Sequence, residues 1–246
     1  MNLEREDPSE KKWPKRLPEL SEEQRRIKDD FMKYWHEVLP NRYGVIERFN
    51  HGFPARTVEK FLNSTSKIRT LEIGAGLGEH LDWEKLENQA YHCIELRPEM
   101  AAEIRKRFPQ VEVSADDCQK KTGFKSGSFD RVIAIHVLEH LPDLPRALDE
   151  IQRLLRLGGI LQVVIPCEGG LSYQLAREIS AKRIFQKRYK QSYDWFIQSE
   201  HINFPKEILE ELEKRFRILG QSYFPLKVPS VNLNLCIGLN FVPLEV

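Results

Sequence analysis

The chain has 246 residues, 41% of them hydrophobic and 30% charged, with 38 lysines and arginines against 37 aspartates and glutamates. A single core stops growing near ~250–300 residues, so one domain with appendages is the expectation. The formal charge of +1 excludes a global field that gathers nucleic acid or acidic membrane, and the four cysteines, Cys93, Cys118, Cys167 and Cys236, are too scattered for a disulfide-stapled secreted scaffold; reduced thiols in a cytoplasmic protein are expected.

Residues 1–19 are charged and broken by Pro8, Pro14 and Pro18. They offer no apolar stretch for a signal peptide and read as an arm laid on the surface. No later run reaches the ~18 apolar residues that span a bilayer, so no transmembrane segment is expected. Ser21 and Gln24 fit a capping box, and Ile27, Phe31, Tyr34, Trp35 and Val38 recur at helical spacing until Pro40 stops the run. A second short helix is expected from Pro54 to Leu62, after the turn-rich Asn50-His51-Gly52. Residues 1–66 thus read as an arm and lid helices, the aromatic first helix closing a crevice in the domain that follows.

From Ile68, short apolar runs alternate with amphipathic stretches. Ile68–Ile73 leads to a helix reaching about Leu86, Ala90–Ile94 to a helix over Pro98–Phe108, and then come Val111–Ser114 and Phe129–Val137. A helix over Leu144–Leu155 and the run Gly159–Ile165 follow. This βαβ rhythm predicts a Rossmann-like three-layer α/β sandwich with a parallel sheet. The segment 166–204 breaks the rhythm as an insertion that covers substrate, Pro205 opens another helix, and two last runs, Ile218–Phe224 and Val231–Phe241, are joined by too short a link to be parallel. Residues 67–246 form the main domain on this reading.

In Thr70-Leu71-Glu72-Ile73-Gly74-Ala75-Gly76-Leu77-Gly78-Glu79 a buried strand enters a glycine-rich turn, where the backbone can approach a ligand with no Cβ in the way. The third glycine comes one residue too early for G-x-G-x-x-G, and Glu72 and Glu79 flank the loop where a pyrophosphate would be repelled. Those carboxylates suit a ligand carrying an ammonium and a sulfonium, as S-adenosylmethionine does. Glu95, at the next strand end, can accept both hydroxyls of a ribose, and Asp116-Asp117-Cys118, after the third strand, can meet an adenine edge.

In order along the chain, LEIGAGLGEH (71–80), CIELRPEM (93–100), ADDCQ (115–119), SFDRVIAIHVLEHL (128–141) and LRLGGILQVVIP (155–166) resemble the class I S-adenosylmethionine-dependent methyltransferases, in particular the bacterial group with methyltransferase type 11 motifs. The resemblance implies a seven-stranded, mostly parallel sheet whose last strand is antiparallel. It implies that Gly74, Ala75, Gly76 and Gly78 frame the methionine part, that Glu95 with Leu96 meets the ribose, that Asp117 and Cys118 meet the adenine, and that His136 walls the site beneath the methionine.

Methyl transfer asks the protein to align an acceptor and, for a hydroxyl, to remove its proton. His136, Glu139 and His140, at the end of the fourth strand, are the candidates, with the distant His201 beside them. Their spacing also allows His136, Glu139, His140 and His201 to converge on a divalent metal. The chain departs at His136 from the methyltransferase groups that hold a metal at this edge, which have glutamate there, so the expectation is histidines that hydrogen-bond the loops together and no metal. Between positions 177 and 190, Arg177, Lys182, Arg183, Lys187, Arg188 and Lys190 are interleaved with aromatic residues, which suits an anionic, carrier-linked acceptor. The function expected is O-methylation of a small or carrier-linked metabolite, of the kind found in polysaccharide or secondary-metabolite biosynthesis. RNA methylation and a non-catalytic cofactor-binding scaffold are the alternatives.

Overall fold

The computed structural model describes residues 12–57 and 67–244, with the backbone alone over 36–42. Seven strands, β1 (Ile68–Ile73), β2 (Gln89–Glu95), β3 (Glu112–Ala115), β4 (Phe129–Ile135), β5 (Leu155–Pro166), β6 (Phe216–Phe224) and β7 (Cys236–Pro243), form one sheet in the order β3-β2-β1-β4-β5-β7-β6. The first five are parallel, and β7 runs antiparallel to both β5 and β6. The last two strands make the expected antiparallel hairpin, but β7 begins at Cys236 rather than Val231, and residues 225–235 link it to β6 with Val231–Leu233 as a 3-10 turn. The strand order reverses between β1 and β4, which leaves their carboxyl ends uncovered by any crossover.

Amphipathic helices cover the sheet. In α5 (Leu144–Leu154), Leu144, Ala147, Leu148, Ile151 and Leu154 recur at helical spacing and are all buried, against the face that also receives α9 (Pro205–Glu213) through Ile208 and Leu212. On the other face, α4 (Pro98–Arg107) buries Ile104 with Leu81, Tyr91 and Cys93.

The helix expected from the glycine loop to Leu86 is instead a 3-10 turn over Glu79–Trp83 followed by another over Leu86–Asn88. This stretch is pinned to the sheet by side chains rather than by its own helical hydrogen bonds. The Glu84 side chain is 2% exposed and takes both Nη atoms of the fully buried Arg131 at 2.9 Å, and His80 Nε2 lies 2.8 Å from it. Arg131 Nε donates onward to Gln162, whose amide donates to Thr57 and Asn240. Burial pushes the Glu84 carboxyl up, but Arg131 and His80 outweigh it and hold it well below the usual carboxylate range.

At the N-terminal side, Ser21 and Gln24 cap each other's backbone as expected, at 3.1 and 2.9 Å, and open α1 (Glu22–Arg42). The helix continues two residues past Pro40, since a proline removes one intrahelical bond without forbidding the turns around it. The turn expected near Asn50 lies between two short helices, α2 (Gly44–Asn50) and α3 (Gly52–Thr57). The expected helix over Pro54–Leu62 thus begins earlier, and its residues 58–62 lie outside the described residues. The insertion folds as α6 (Leu171–Ile179), α7 (Ala181–Tyr189) and α8 (Asp194–Glu200). Phe31 of α1 is 2% exposed and meets Phe185 and Phe196 edge-on at 5.0 and 5.1 Å, so α1 and the insertion share one aromatic cluster. Among the described residues no helix is long and apolar enough to cross a membrane.

Removing one partner of a buried ion pair strands the other charge. Arg131→Met is therefore expected to lower the unfolding free energy by about 3–5 kcal/mol, read from urea denaturation at pH 7. A loss below about 1 kcal/mol would mean that the network from Glu84 through β4 and β5 to β7 carries no such weight.

Candidate active site

The carboxyl ends of β1, β2 and β4 meet around the glycine loop. Gly74, Gly76 and Gly78 have φ of +62°, +58° and +81°, which side chains rarely adopt, and a Cβ at Gly74 would stand 2.5 Å from Val137 Cγ2. Gly74 N donates to the Ile94 carbonyl at 2.7 Å, and Gly76 N donates to Glu95 Oε2 at 2.9 Å. Glu95, 3% exposed, also accepts from Arg97 N and Nε through Oε1, at 3.0 and 3.1 Å. Its carboxylate thus ties β2 to the loop and keeps acceptor capacity toward the crevice.

Around this loop lies a cavity of about 640 Å³. Glu72, Gly74, Ala75, Gly76, Glu95, Leu96, Asp117, Cys118 and His136 all line it, while Gly78 stands behind, packed near Leu81 and Phe108. Asp117 Oδ1 accepts from Gln119 N and Nε2 at 3.0 and 3.1 Å; burial works against its charge, but these bonds and Lys120 hold the carboxyl below its ordinary value. Burial pushes the Cys118 thiol up to about 12, as befits a packed, unreactive residue. Glu72 is 4% exposed, accepts from Tyr91 Oη at 2.8 Å, and is pushed up to about 8 by burial and, to a smaller extent, by Glu84 and Glu79.

The wall opposite the glycines is the turn after β4. His136 has φ of +51°, a strained conformation for a side-chain-bearing residue, and follows directly on β4, which ends at Ile135 rather than at the expected Val137. Its Nδ1 lies 3.1 Å from Glu139 Oε1. Burial works against the His136 cation, but Cys236 and Glu139 outweigh it and raise the imidazole well above its ordinary value. Burial likewise opposes the Glu139 carboxylate, yet the bond from His136 brings it down to about 2. His136 and Glu139 are therefore an ion pair. His140 goes the other way: burial and the neighbouring His201 lower it, against the pull of Glu139 and Glu200, so it is neutral.

The turn is clamped from the insertion side. Ile202 N and Asn203 N donate to the Glu139 carbonyl at 2.9 and 3.0 Å, and Asn203 Nδ2 donates to the Leu138 and Leu141 carbonyls at 2.8 Å. That clamp brings His201 against His140, ring centroids 5.1 Å apart. His140 Nδ1 donates to the Glu200 carbonyl at 2.7 Å and His201 Nδ1 to Glu168 Oε2 at 2.8 Å, while Arg177 binds the other oxygen of Glu168.

Four expected site residues, His136, Glu139, His140 and His201, are thus brought together. Glu168, Glu200 and Asn203 are site-building residues that sequence reasoning passed over. Glu168 alone left a signal, as an acid just past the end of β5. Three of the six cations of the basic run are paired: Arg177 with Glu168, Lys182 with Glu178, and Arg188 with Asp30 and the Tyr34 ring. Its aromatic residues Phe185, Tyr193 and Phe196 are buried in the cluster with α1.

Residues 71–163 match the family model of a methyltransferase domain. The hybrid PKS-NRPS synthetase lepA of Aspergillus flavus is 29% identical over 123 residues, 46% of this chain and 3% of that protein. An uncharacterized protein of Methanocaldococcus jannaschii is 30% identical over 145 residues, 57% of this chain and 61% of that protein. The chain therefore spans less than two thirds of the length of either relative. Among solved structures, a TehB-like SAM-dependent methyltransferase from Corynebacterium glutamicum shares the fold with a TM-score of 0.61 at 13% identity, over 89% of this chain and 100% of that one. Residues 71–163 match a methyltransferase domain, and the chain shares the fold of a solved SAM-dependent methyltransferase.

Proposed function

We propose that the chain transfers the methyl group of S-adenosylmethionine to a hydroxyl oxygen of a small, uncharged acceptor. The observation that carries this reading is the open cavity between the glycine loop and the Glu139, His140 and His201 cluster, with room for a cofactor and an acceptor side by side. In the cofactor half, Glu72 faces the methionine end with the glycine loop around it, Glu95 accepts from the ribose, and Asp117 and Cys118 border the adenine. In the acceptor half, the turn after β4 presents proton-accepting atoms, which suits an acceptor that arrives with a proton and leaves without it. The oxygen–carbon bond forms as the sulfur–carbon bond breaks, and its electron pair stays on sulfur as the thioether.

The expectation of an anionic acceptor is revised in this reading. The cations that line the cavity are already paired, Arg97 with Glu95, Arg177 with Glu168 and Lys28 with Glu200, and Phe31, Tyr173, Tyr193 and Phe196 supply apolar walls. An uncharged, ring-bearing or aliphatic alcohol fits such a lining better than a phosphate. The pairing of Arg177, Lys182 and Arg188 weakens the case for an RNA strand on the basic run, and an unblocked cavity favours catalysis over a scaffold role.

Titration calorimetry tests the cofactor half. Glu95→Gln is expected to weaken S-adenosylmethionine by roughly 10–100-fold, the worth of hydrogen bonds to a charged group. Unchanged affinity would remove Glu95 from the ribose site, and binding of a pyridine dinucleotide in place of S-adenosylmethionine would overturn the reading.

Glu72 gives a pH signature. Between about 4.5 and 8 the folded chain keeps a proton on Glu72 that the unfolded chain has released. Its stabilising effect is therefore complete below the unfolded value and is lost as pH rises through about 8. A cation bound beside it favours the carboxylate, so cofactor binding at pH 7 should release a proton, seen as a binding enthalpy that varies with buffer ionisation enthalpy. Glu72→Gln should abolish that variation; persistence in the variant would place the proton elsewhere.

For the acceptor half, His140→Ala should lower kcat by roughly 10²–10⁴-fold while the calorimetric affinity for S-adenosylmethionine holds. Undiminished turnover would exclude His140 from the proton's path.

A further inference from the structure

In the arm before α1, Lys15 touches both sides of the junction at which His140 meets His201. Its backbone N donates to the Pro142 carbonyl at 2.8 Å, two residues past His140. Its Nζ donates to the Ile202 carbonyl at 2.7 Å, one residue past His201. The same ammonium donates to both oxygens of Glu207, each at 2.7 Å, and Glu207 Oε2 in turn accepts from Phe204 N at 3.0 Å, at the start of α9.

An ammonium carries three hydrogens and no lone pair, and Ile202 and the two Glu207 oxygens give it three acceptors. Burial works against the Glu207 carboxylate, but Lys15 and the Phe204 amide hold it below its ordinary value. Trp13 anchors the arm, since its ring packs against the main core and its centroid lies 5.0 Å from Lys15 Nζ. Lys12, by contrast, is half exposed and stands 3.4 and 3.9 Å from Glu207 and Glu210.

These bonds close a ring around the two histidines. Ile202 N already donates to the Glu139 carbonyl at 2.9 Å, and Lys15 ties the Ile202 carbonyl to Pro142. The turn 139–142 and the segment 200–203 are thus joined on either side of the contact between His140 and His201. A junction fixed on both sides resists the small misplacements that cost a reaction most of its rate.

We propose that Lys15 is a positioning residue for the acceptor half: it locks the turn after β4 to the segment before α9 and so sets the contact between His140 and His201 from outside residues 71–163. The use of this lock in catalysis rests on the proton path through His140 proposed above, whereas the lock itself does not.

Hydrogen exchange and NMR on the full chain test the lock without any acceptor. In Lys15→Met, exchange at the Ile202 and Asn203 amides should quicken at least ~10-fold, while the amides of Leu161–Ile165 in β5 keep their wild-type rates. The midpoint of the His140 imidazole should move upward, because a loosened segment admits water to a ring that burial and His201 now hold low. Lys12→Ala should change none of these quantities. Unchanged exchange at Ile202 and Asn203, an unmoved His140 midpoint, or the same losses in Lys12→Ala would overturn the lock. An equal rise across β5 would overturn it too, since Lys15 would then support the whole fold and not this junction. The two readings fail separately: undiminished turnover in His140→Ala sinks the proton path and leaves the lock, and unchanged exchange in Lys15→Met sinks the lock and leaves the proton path.

Discussion

The reversal of strand order between β1 and β4 is the constraint on which the rest depends. Crossovers leave these two strands in opposite directions, so the carboxyl edge between them stays open as a crevice. Every strand end that borders it brings a turn, and residues far apart in the chain, Gly74, Glu95, Asp117 and His136, become neighbours for that reason alone. An open edge also needs a roof if water is to be kept from the reacting atoms. The roof comes from outside the βαβ rhythm, from α1 and the insertion, and Phe31 is the contact that makes one body of the two.

The strands were legible because a fully buried strand writes itself as a short apolar run, and the final hairpin because its connection, even at residues 225–235, is too short for a crossover; only the apolar Val231–Leu233, a 3-10 turn, reads as strand in the sequence. The stretch after the glycine loop was misread for a physical reason. Its spacing of apolar residues permits a helix, but the energy that shapes it lies in the pairing of Glu84 with Arg131 of β4, forty-seven residues on, which leaves no local trace. Helix α2 was hidden in the same way: Phe49 stacks on Phe224, with ring centroids 5.3 Å apart, a contact across most of the chain that turns an apparent loop into an ordered one.

The site divides along the same line. Residues at strand ends could be named from the sequence, since the fold puts them at the crevice whatever their partners are. Glu168, Glu200 and Asn203 could not, because each acts only through a residue that the insertion folds back to meet. His201 lies sixty residues beyond His140, and only the hydrogen bonds of Ile202 and Asn203 to the turn after β4 close that distance.

The acids along this edge differ in charge because they differ in partner. Glu84 faces an arginine and is ionised, Glu139 faces a charged histidine and is ionised, and Glu72 faces a tyrosine hydroxyl and holds a proton. Burial alone would have neutralised all of them. The consequence is a crevice in which one end can gain a negative charge when a cation arrives, whereas the other end keeps a fixed negative charge next to the neutral His140. A phosphate-bearing ligand would be unfavourable against either end. A sulfonium suits the first and a hydroxyl that must lose its proton suits the second, so the two halves of the cavity differ in chemistry before any ligand enters.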